Sequence, residues 1–147
     1  MRRWLLTVVA LWMCAQGSPA RAERTVVLVT NASCAIESMT MLEVRKAYFG
    51  LLIGDDKKPV VAFRLNEDDE LTRIFYQTVV AMSETSYKRR LLSNLLKHGI
   101  PRPREFSDTE DLIVAVKDSN CGIAYLWGQD ARLAEGIKEL RLLWQGE

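Results

Sequence analysis

The chain has 147 residues, of which 48% are hydrophobic and 27% are charged, with 20 lysines and arginines against 19 aspartates and glutamates. This near balance excludes the strongly basic surface that attracts nucleic acids or anionic membranes. The length suits one domain, and no Pro-, Gly- or Ser-rich linker or internal repeat divides the chain. We therefore expect one compact core.

The N-terminus is typical of a secretory signal peptide. Two arginines precede an apolar run over Trp4–Ala15, and small residues precede a cleavage site after Ala22. The apolar run is shorter than the about 20 residues that span a bilayer. We predict a signal peptide over 1–22 and an exported domain over 23–147, periplasmic or secreted, without membrane attachment after cleavage.

Cys34 and Cys121 are the two cysteines of the predicted exported domain. In an oxidising compartment they can form a disulfide, which would contribute about 4 kcal/mol by closing a long loop. The alternative is two buried thiols that never meet. The sequence gives no distance between them, so both alternatives stay open.

The first predicted strand is Thr25–Thr30, a β-branched run typical of a strand covered on both faces, and Asn31–Cys34 forms the loop after it. Thr40 and Glu43 have the spacing of a capping box. The helix that they open ends at Gly50. Its apolar residues are Leu42, Ala47 and Phe49.

A polar turn over Gly54–Lys58 leads to the second predicted strand, Pro59–Phe63. The acidic segment Asn66–Glu70 places carboxylates at the positive end of the next helix. The apolar face of that helix comprises Leu71, Ile74, Phe75, Thr78, Val79 and Met82. Ser83 caps a further helix that ends at Gly99. Its predicted inward-facing residues are Tyr87, Leu91, Leu95 and Leu96.

Pro101 and Pro103 predict an extended connector. Ser107 and Glu110 form a second capping box, which opens the last predicted helix. The apolar residues of this helix are Leu112, Ile113 and Val116. The two remaining predicted strands are Gly122–Leu126 and Leu140–Trp144. Strands separated by helices predict an α/β layer structure.

Ligands of an α/β sheet collect beyond the carboxyl ends of its strands. This rule selects Thr30, Asn31 and Ser33 after the first strand and Arg64 and Asn66 after the second. The predicted site also includes Thr72, which ends the segment after the second strand. Arg64 offers a forked guanidinium to an oxyanion or carboxylate. The alternatives are an ion pair of Arg64 with nearby acids and a plain turn at Asn31 and Ser33.

The sequence offers little catalytic chemistry. His98, the only histidine, lies at a predicted helix end, and the chain lacks nucleophile-elbow, Walker, zinc-protease and Cys-x-x-Cys motifs. Cys34 lacks a compelling base partner. The acidic run Glu67–Glu70 lacks the spacing of a calcium loop. We expect a protein that is not an enzyme and binds no cofactor or metal.

Residues at several joints between elements form a wider pattern. They are Val29–Asn31 at a strand end, Met39–Thr40 and Ala47–Gly50 at the two ends of a helix, Phe63–Arg64 at a strand end, Phe75 early in a helix, and Cys121–Tyr125 in a strand. In this order they resemble the phosphate-binding protein of phosphate ABC transporters, and its second lobe in particular. The resemblance implies a single lobe of a type II periplasmic binding protein, with a mixed, mostly parallel sheet flanked by helices.

The resemblance also implies a non-catalytic binding protein for a small anion, phosphate or similar, that works with an ABC permease or an envelope sensor protein. The sequence departs from the family at the Ser-Gly-Thr turn, where Asn66–Thr72 places carboxylates in the anion position. The chain also has room for only one lobe, so we expect weak anion binding at most. The alternative is an interaction or signalling module of the cell envelope that kept the lobe fold but lost ligand binding.

Overall fold

The computed structural model describes residues 24–51 and 60–146. The predicted signal peptide over 1–22, the predicted turn over Gly54–Lys58 and Pro59 lie outside this part of the chain. The strands are β1 (Thr25–Asn31), β2 (Val61–Leu65), β3 (Arg104–Phe106), β4 (Gly122–Trp127) and β5 (Ile137–Gln145). The helices are α1 (Met41–Tyr48), α2 (Asp69–Ile74), α3 (Glu84–His98), α4 (Thr109–Asp118) and α5 (Gly128–Leu133), and a π-helical turn, Phe75–Val79, continues α2. None of these helices is long and apolar enough to cross a bilayer.

The five described strands form one sheet in the order β3-β2-β4-β1-β5. β2 runs parallel to β3 and β4, whereas β1 runs antiparallel to β4 and β5. The predicted α/β class with a mixed sheet flanked by helices is confirmed. The sheet is less parallel than predicted, because β1 runs against both of its neighbours and two of the four pairings are therefore antiparallel.

Capping signals in the sequence are confirmed at two helices. Thr40 accepts a hydrogen bond from the backbone N–H of Glu43, whose carboxylate accepts the backbone N–H of Thr40 in return. Ser83 caps α3 by accepting the N–H of Ser86, and Gly99 ends it with a left-handed φ of 66°. Each cap satisfies backbone groups that the helix itself leaves unpaired, which is why so short a pattern identifies a boundary.

Two leucines predicted to face inward, Leu95 and Leu96, are exposed, and so is Leu42 of α1. α3 buries only Tyr87 and Leu91, and its C-terminal half extends beyond the core. The spacing of apolar residues identified the helix correctly but not the length over which the rest of the protein covers it.

Other predicted boundaries shift. Asp108, not Ser107, caps α4, because its carboxylate accepts the N–H of Glu110 and of the next residue. An ionised carboxylate is a stronger acceptor than a hydroxyl. The helix predicted to reach Met82 changes to a π-helical turn at Phe75. Sequence reasoning also missed β3, which lies in the continuation of the predicted connector, and α5.

An aromatic cluster packs one face of the sheet against α1, the π-helical turn and α3. Phe75 stacks on Tyr125 with ring centroids 4.9 Å apart and meets Tyr48 and Tyr87 edge-on at 5.1 and 5.4 Å. The Tyr87 hydroxyl donates to the carbonyl of Tyr48, and the Tyr48 hydroxyl donates to that of Phe63. β4 is buried along its whole length, so both of its faces are covered, and α4 and α5 are further helices in contact with it.

Candidate functional site

The structure divides the predicted ligand residues between two ends of the sheet. Ile123 of β4 lies in register with both Thr30 of β1 and Ala62 of β2. Since β1 and β2 run in opposite directions past β4, Asn31 lies at the end where β2 begins. Arg64 lies about three residues, roughly 10 Å, further along the strand direction. The prediction of one shared site is therefore wrong.

Asn31 and Ser33 form a turn whose polar groups bond to each other and to the backbone. The Asn31 side-chain amide donates to the carbonyls of Lys117 and Ser119. Its side-chain carbonyl accepts from both the backbone N–H and the hydroxyl of Ser33, each at 2.9 Å. These contacts favour the alternative of a plain turn.

A disulfide lies beside this turn. Cys34 and Cys121 are bonded, with Cα atoms 5.2 Å apart and a sequence separation of 87. Of the two alternatives that the sequence left open, the structure contains the bond. It joins the loop after β1 to the start of β4, so this end of the sheet is fixed covalently.

Arg64 lies inside β2, which ends one residue later than this arginine, and not in a loop after the strand. Its side chain is only 4% exposed. One guanidinium nitrogen, Nη1, lies 2.9 Å from a carboxylate oxygen of Glu105 on the neighbouring strand β3, and Nη2 donates to the hydroxyl of Tyr76 at 3.0 Å. The remaining nitrogen, Nε, is buried and has no partner in the described part of the chain.

Aromatic rings surround the Arg64 guanidinium. Its central carbon lies 4.5 Å from the ring centroid of Phe75, 5.3 Å from that of Tyr76 and 5.5 Å from that of Tyr87. Burial alone would lower the pKa of Arg64, but the hydroxyls of Tyr125 and Tyr76 outweigh burial and the pKa is raised. The guanidinium is therefore charged at every physiological pH.

The other half of the predicted anion site, the start of α2, is closed by a carboxylate. One oxygen of Asp68 accepts the backbone N–H of Leu71 at 2.8 Å, and the other accepts the indole N–H of Trp127 at 2.6 Å. Asp68 thus caps the helix and ties it to the end of β4. Its negative charge repels an incoming anion from the backbone groups that an oxyanion would use.

Thr72 and Tyr76 line an open depression of about 520 Å³ between α2, the π-helical turn and the start of α3. The Thr72 hydroxyl is buried without a partner in the described residues. Asp69 and Glu84 outnumber Arg73 among the charged lining residues, so the depression does not favour anions. No described cluster of His, Cys, Asp and Glu is suited to a metal ion.

Asn66, the remaining predicted ligand residue, directly follows β2 and is exposed. Its backbone N–H donates to the carbonyl of Phe106, which continues the pairing of β2 with β3. Asn66 therefore lies at the Arg64 end of the sheet, as Thr72 does.

The fold defined by these elements is one α/β lobe of the substrate-binding-protein type. Among solved structures, the chain is similar to a possible phosphate-binding protein from Planctomyces limnophilus at 17% identity, with a TM-score of 0.57 over 81% of this chain and 41% of that one. It is also similar to an ABC-type phosphate transport receptor from Vibrio cholerae at 8% identity, with a TM-score of 0.57 over 81% of this chain and 46% of the receptor. A third similar structure, PstS from Borrelia burgdorferi, is 9% identical, with a TM-score of 0.57 over 80% of this chain and 47% of that one.

These similarities establish the fold and no more, because the identities are low. The chain spans less than half of the length of each of these proteins. No protein-family model and no curated protein matches the sequence.

Sequence reasoning missed two residues that decide the state of Arg64. No local signal marks Glu105, because its partner lies 41 residues earlier and its strand, β3, was not predicted. Tyr76 directly follows Phe75 and falls outside the apolar face predicted for its helix. The π-helical turn, which the sequence did not predict, contains both residues and both rings lie near Arg64.

Proposed function

We propose that the protein is an exported, non-catalytic binding protein whose lobe has a closed anion site. It acts through contact with another envelope protein, such as an ABC permease or a sensor protein, instead of carrying phosphate. The observation that supports this proposal most strongly is the internal pairing of Arg64 with Glu105. A free anion would have to displace the carboxylate of Glu105, which the chain already holds beside Arg64. A free anion loses more entropy on binding than a carboxylate that is part of the same chain, so the internal pair is favoured.

Two features support export of a domain over 23–147. The N-terminal pattern over 1–22 is that of a signal peptide. The Cys34–Cys121 disulfide is the kind of bond that persists in oxidising compartments.

Isothermal titration calorimetry with phosphate, sulfate and acetate tests the closed site. We expect no saturable heat with the wild-type protein. Saturable heat with any of the three anions would contradict the proposal.

Crosslinking in living cells, followed by mass spectrometry, tests the partner, and we expect crosslinks to a permease or sensor protein. Their absence would contradict that half of the proposal.

A second candidate function, weak binding of a small anion, has a specific observation in its favour. Arg64 Nε and the Thr72 hydroxyl are buried without partners among the described residues. In calorimetry this function requires heat that disappears in Arg64→Met. The matched control is Arg73→Met, because Arg73 lines the depression with a half-exposed side chain. Loss of heat in the first variant alone would establish the second candidate and displace the first.

A further inference from the structure

The two short helices α4 and α5 leave an acidic groove between them. The α4–α5 groove, of about 450 Å³, is lined among others by Glu110, Ile113, Val114, Asp130, Leu133 and Glu135. Leu133 is 83% exposed. Apolar surface in contact with water is unfavourable in free energy, so burying this leucine would be favourable. Lys117 is the one cation in the lining, against three acids. None of the three acids has an ion pair among the described residues.

A basic and apolar ridge lies on α3. Arg89, Leu92 and Leu96 have the i, i+3, i+7 spacing of one helix face, and Lys88 and Leu95 border it. All five side chains of this α3 ridge are exposed, and Leu96 is 75% exposed. Arg89 has no carboxylate partner in the described chain, whereas Lys88 pairs with Glu84 one turn earlier.

We propose that the α3 ridge of one copy of this chain docks into the α4–α5 groove of a second copy. Three leucines on the ridge match the apolar residues that line the groove, and the ridge cations match its three acids. Burial of exposed leucines supplies the main favourable free energy, while the opposite charges orient the two copies. This inference does not depend on whether the Arg64 end of the sheet binds an anion.

The positions of the two surfaces determine the kind of assembly. α3 lies in the connection from β2 to β3 and α4 in the connection from β3 to β4. These connections cross the sheet in opposite directions, so right-handed crossovers place α3 and α4 on opposite faces, and α5 lines the groove beside α4. One copy therefore cannot fill its own groove with its own ridge. The contact joins two different surfaces, so it is heterologous and continues from copy to copy unless it closes into a ring.

Sedimentation velocity with the purified protein, expressed from the full chain, tests this contact between about 1 μM and about 1 mM, the range of weak association. The wild-type protein should form species larger than a dimer as the concentration rises. Leu96→Asp removes the ridge, and Leu133→Asp removes the groove, so each variant alone should be monomeric. The matched control is Leu42→Asp, which changes a leucine of 60% exposure on α1 and should associate like the wild type.

Mixing the two variants gives the decisive result. Leu96→Asp retains an intact groove and Leu133→Asp retains an intact ridge, so an equimolar mixture should form one-to-one dimers and nothing larger. Raising the salt concentration should weaken this dimer several-fold, because the paired charges are exposed. A wild-type protein that stays monomeric throughout the range would overturn the proposal. So would a mixture that stays monomeric, or equal loss of association in Leu42→Asp.

Discussion

At the end of the sheet where β1 stops, Asn31 bonds to the backbone and a disulfide fixes the adjacent loop. At the end where β2 stops, side-chain contacts fix the charged guanidinium of Arg64, which lies among aromatic rings and pairs with Glu105. The first end is stabilised by covalent and backbone contacts that no ligand could replace. The second is stabilised by a side-chain carboxylate that an external anion could mimic. Only the second end therefore has the chemistry of a binding site, and in this chain that chemistry is already satisfied internally.

The largest expected effect comes from breaking the first end. The Cys34→Ser, Cys121→Ser double variant should lose about 4 to 5 kcal/mol of the free energy of unfolding, since the bond closes a loop of nearly ninety residues in the unfolded chain. Urea denaturation of the variant and of the oxidised wild type measures the difference. A loss below about 1 kcal/mol would show that the disulfide does not fix this end of the sheet.

Alkaline pH should weaken the second end selectively. Burial raises the pKa of Tyr125 to about 12, although Arg64 opposes the rise. Since the folded pKa lies above the unfolded value of about 10, this stabilisation is complete below pH 10 and is lost as the pH rises toward 12. Tyr125 alone should contribute a fall on the order of 2 kcal/mol in the free energy of unfolding over that interval.

Urea denaturation at a series of pH values measures this fall. Tyr125→Phe removes the titrating hydroxyl and should make the dependence on pH shallower. Tyr48 and Tyr87 also have raised pKa values because they are buried, so part of the dependence should remain. A pH dependence that is identical in the variant would contradict the assignment.

Removing the Glu105 carboxylate should destabilise the second end of the sheet, by less than loss of the disulfide destabilises the first. Glu105→Ala leaves the Arg64 charge buried without its carboxylate, but Glu105 is 46% exposed, so water screens the pair. We expect a loss of about 1 to 2 kcal/mol in the free energy of unfolding, measured by urea denaturation. Arg64→Met, which replaces the charge with an apolar chain, should cost less than Glu105→Ala. The reverse order would show that the contacts of Arg64 with the Tyr76 hydroxyl and the surrounding rings stabilise the fold by more than an uncompensated buried charge destabilises it.

The smallest effect concerns the turn that leads from the π-helical segment to α3. Ala81 has a left-handed φ of 53°, which strains a residue with a side chain. Ala81→Gly should relieve that strain and raise the free energy of unfolding by about 0.5 kcal/mol, because the greater entropy of glycine in the unfolded chain offsets part of the gain. Thermal denaturation measures the change, and a destabilised variant would contradict this reading of the turn.

Much of the fold could be predicted from the sequence because its signals are local. Thr40 and Glu43 form their cap within one turn, and the run after Thr25 needs only its own side chains to specify a strand. The short edge strand β3 contains charged residues and gives little such signal, and α5 begins after Trp127 without a capping side chain. Both elements depend on neighbours that are distant in sequence.

The candidate site was harder to predict because it depends on strand direction. The rule that ligands gather at carboxyl ends of strands joins Asn31 to Arg64 only if β1 and β2 are parallel. β1 instead pairs antiparallel with β4, and nothing within Thr25–Asn31 encodes that choice of direction. The ion-pair alternative predicts a partner for Arg64 among the acids that follow it in sequence, whereas the partner is Glu105 on another strand.

The central claim is that Glu105 occupies the position of an external anion beside Arg64. The most direct test is calorimetric titration of acetate and phosphate into the wild-type protein and into Glu105→Ala under identical conditions. The account predicts no saturable heat with the wild type and saturable heat with the variant, at a Kd of about 1 mM, as expected for a small anion at one partly buried guanidinium. Saturable binding to the wild type at the same affinity as to the variant would contradict it, and so would a folded variant that binds neither anion.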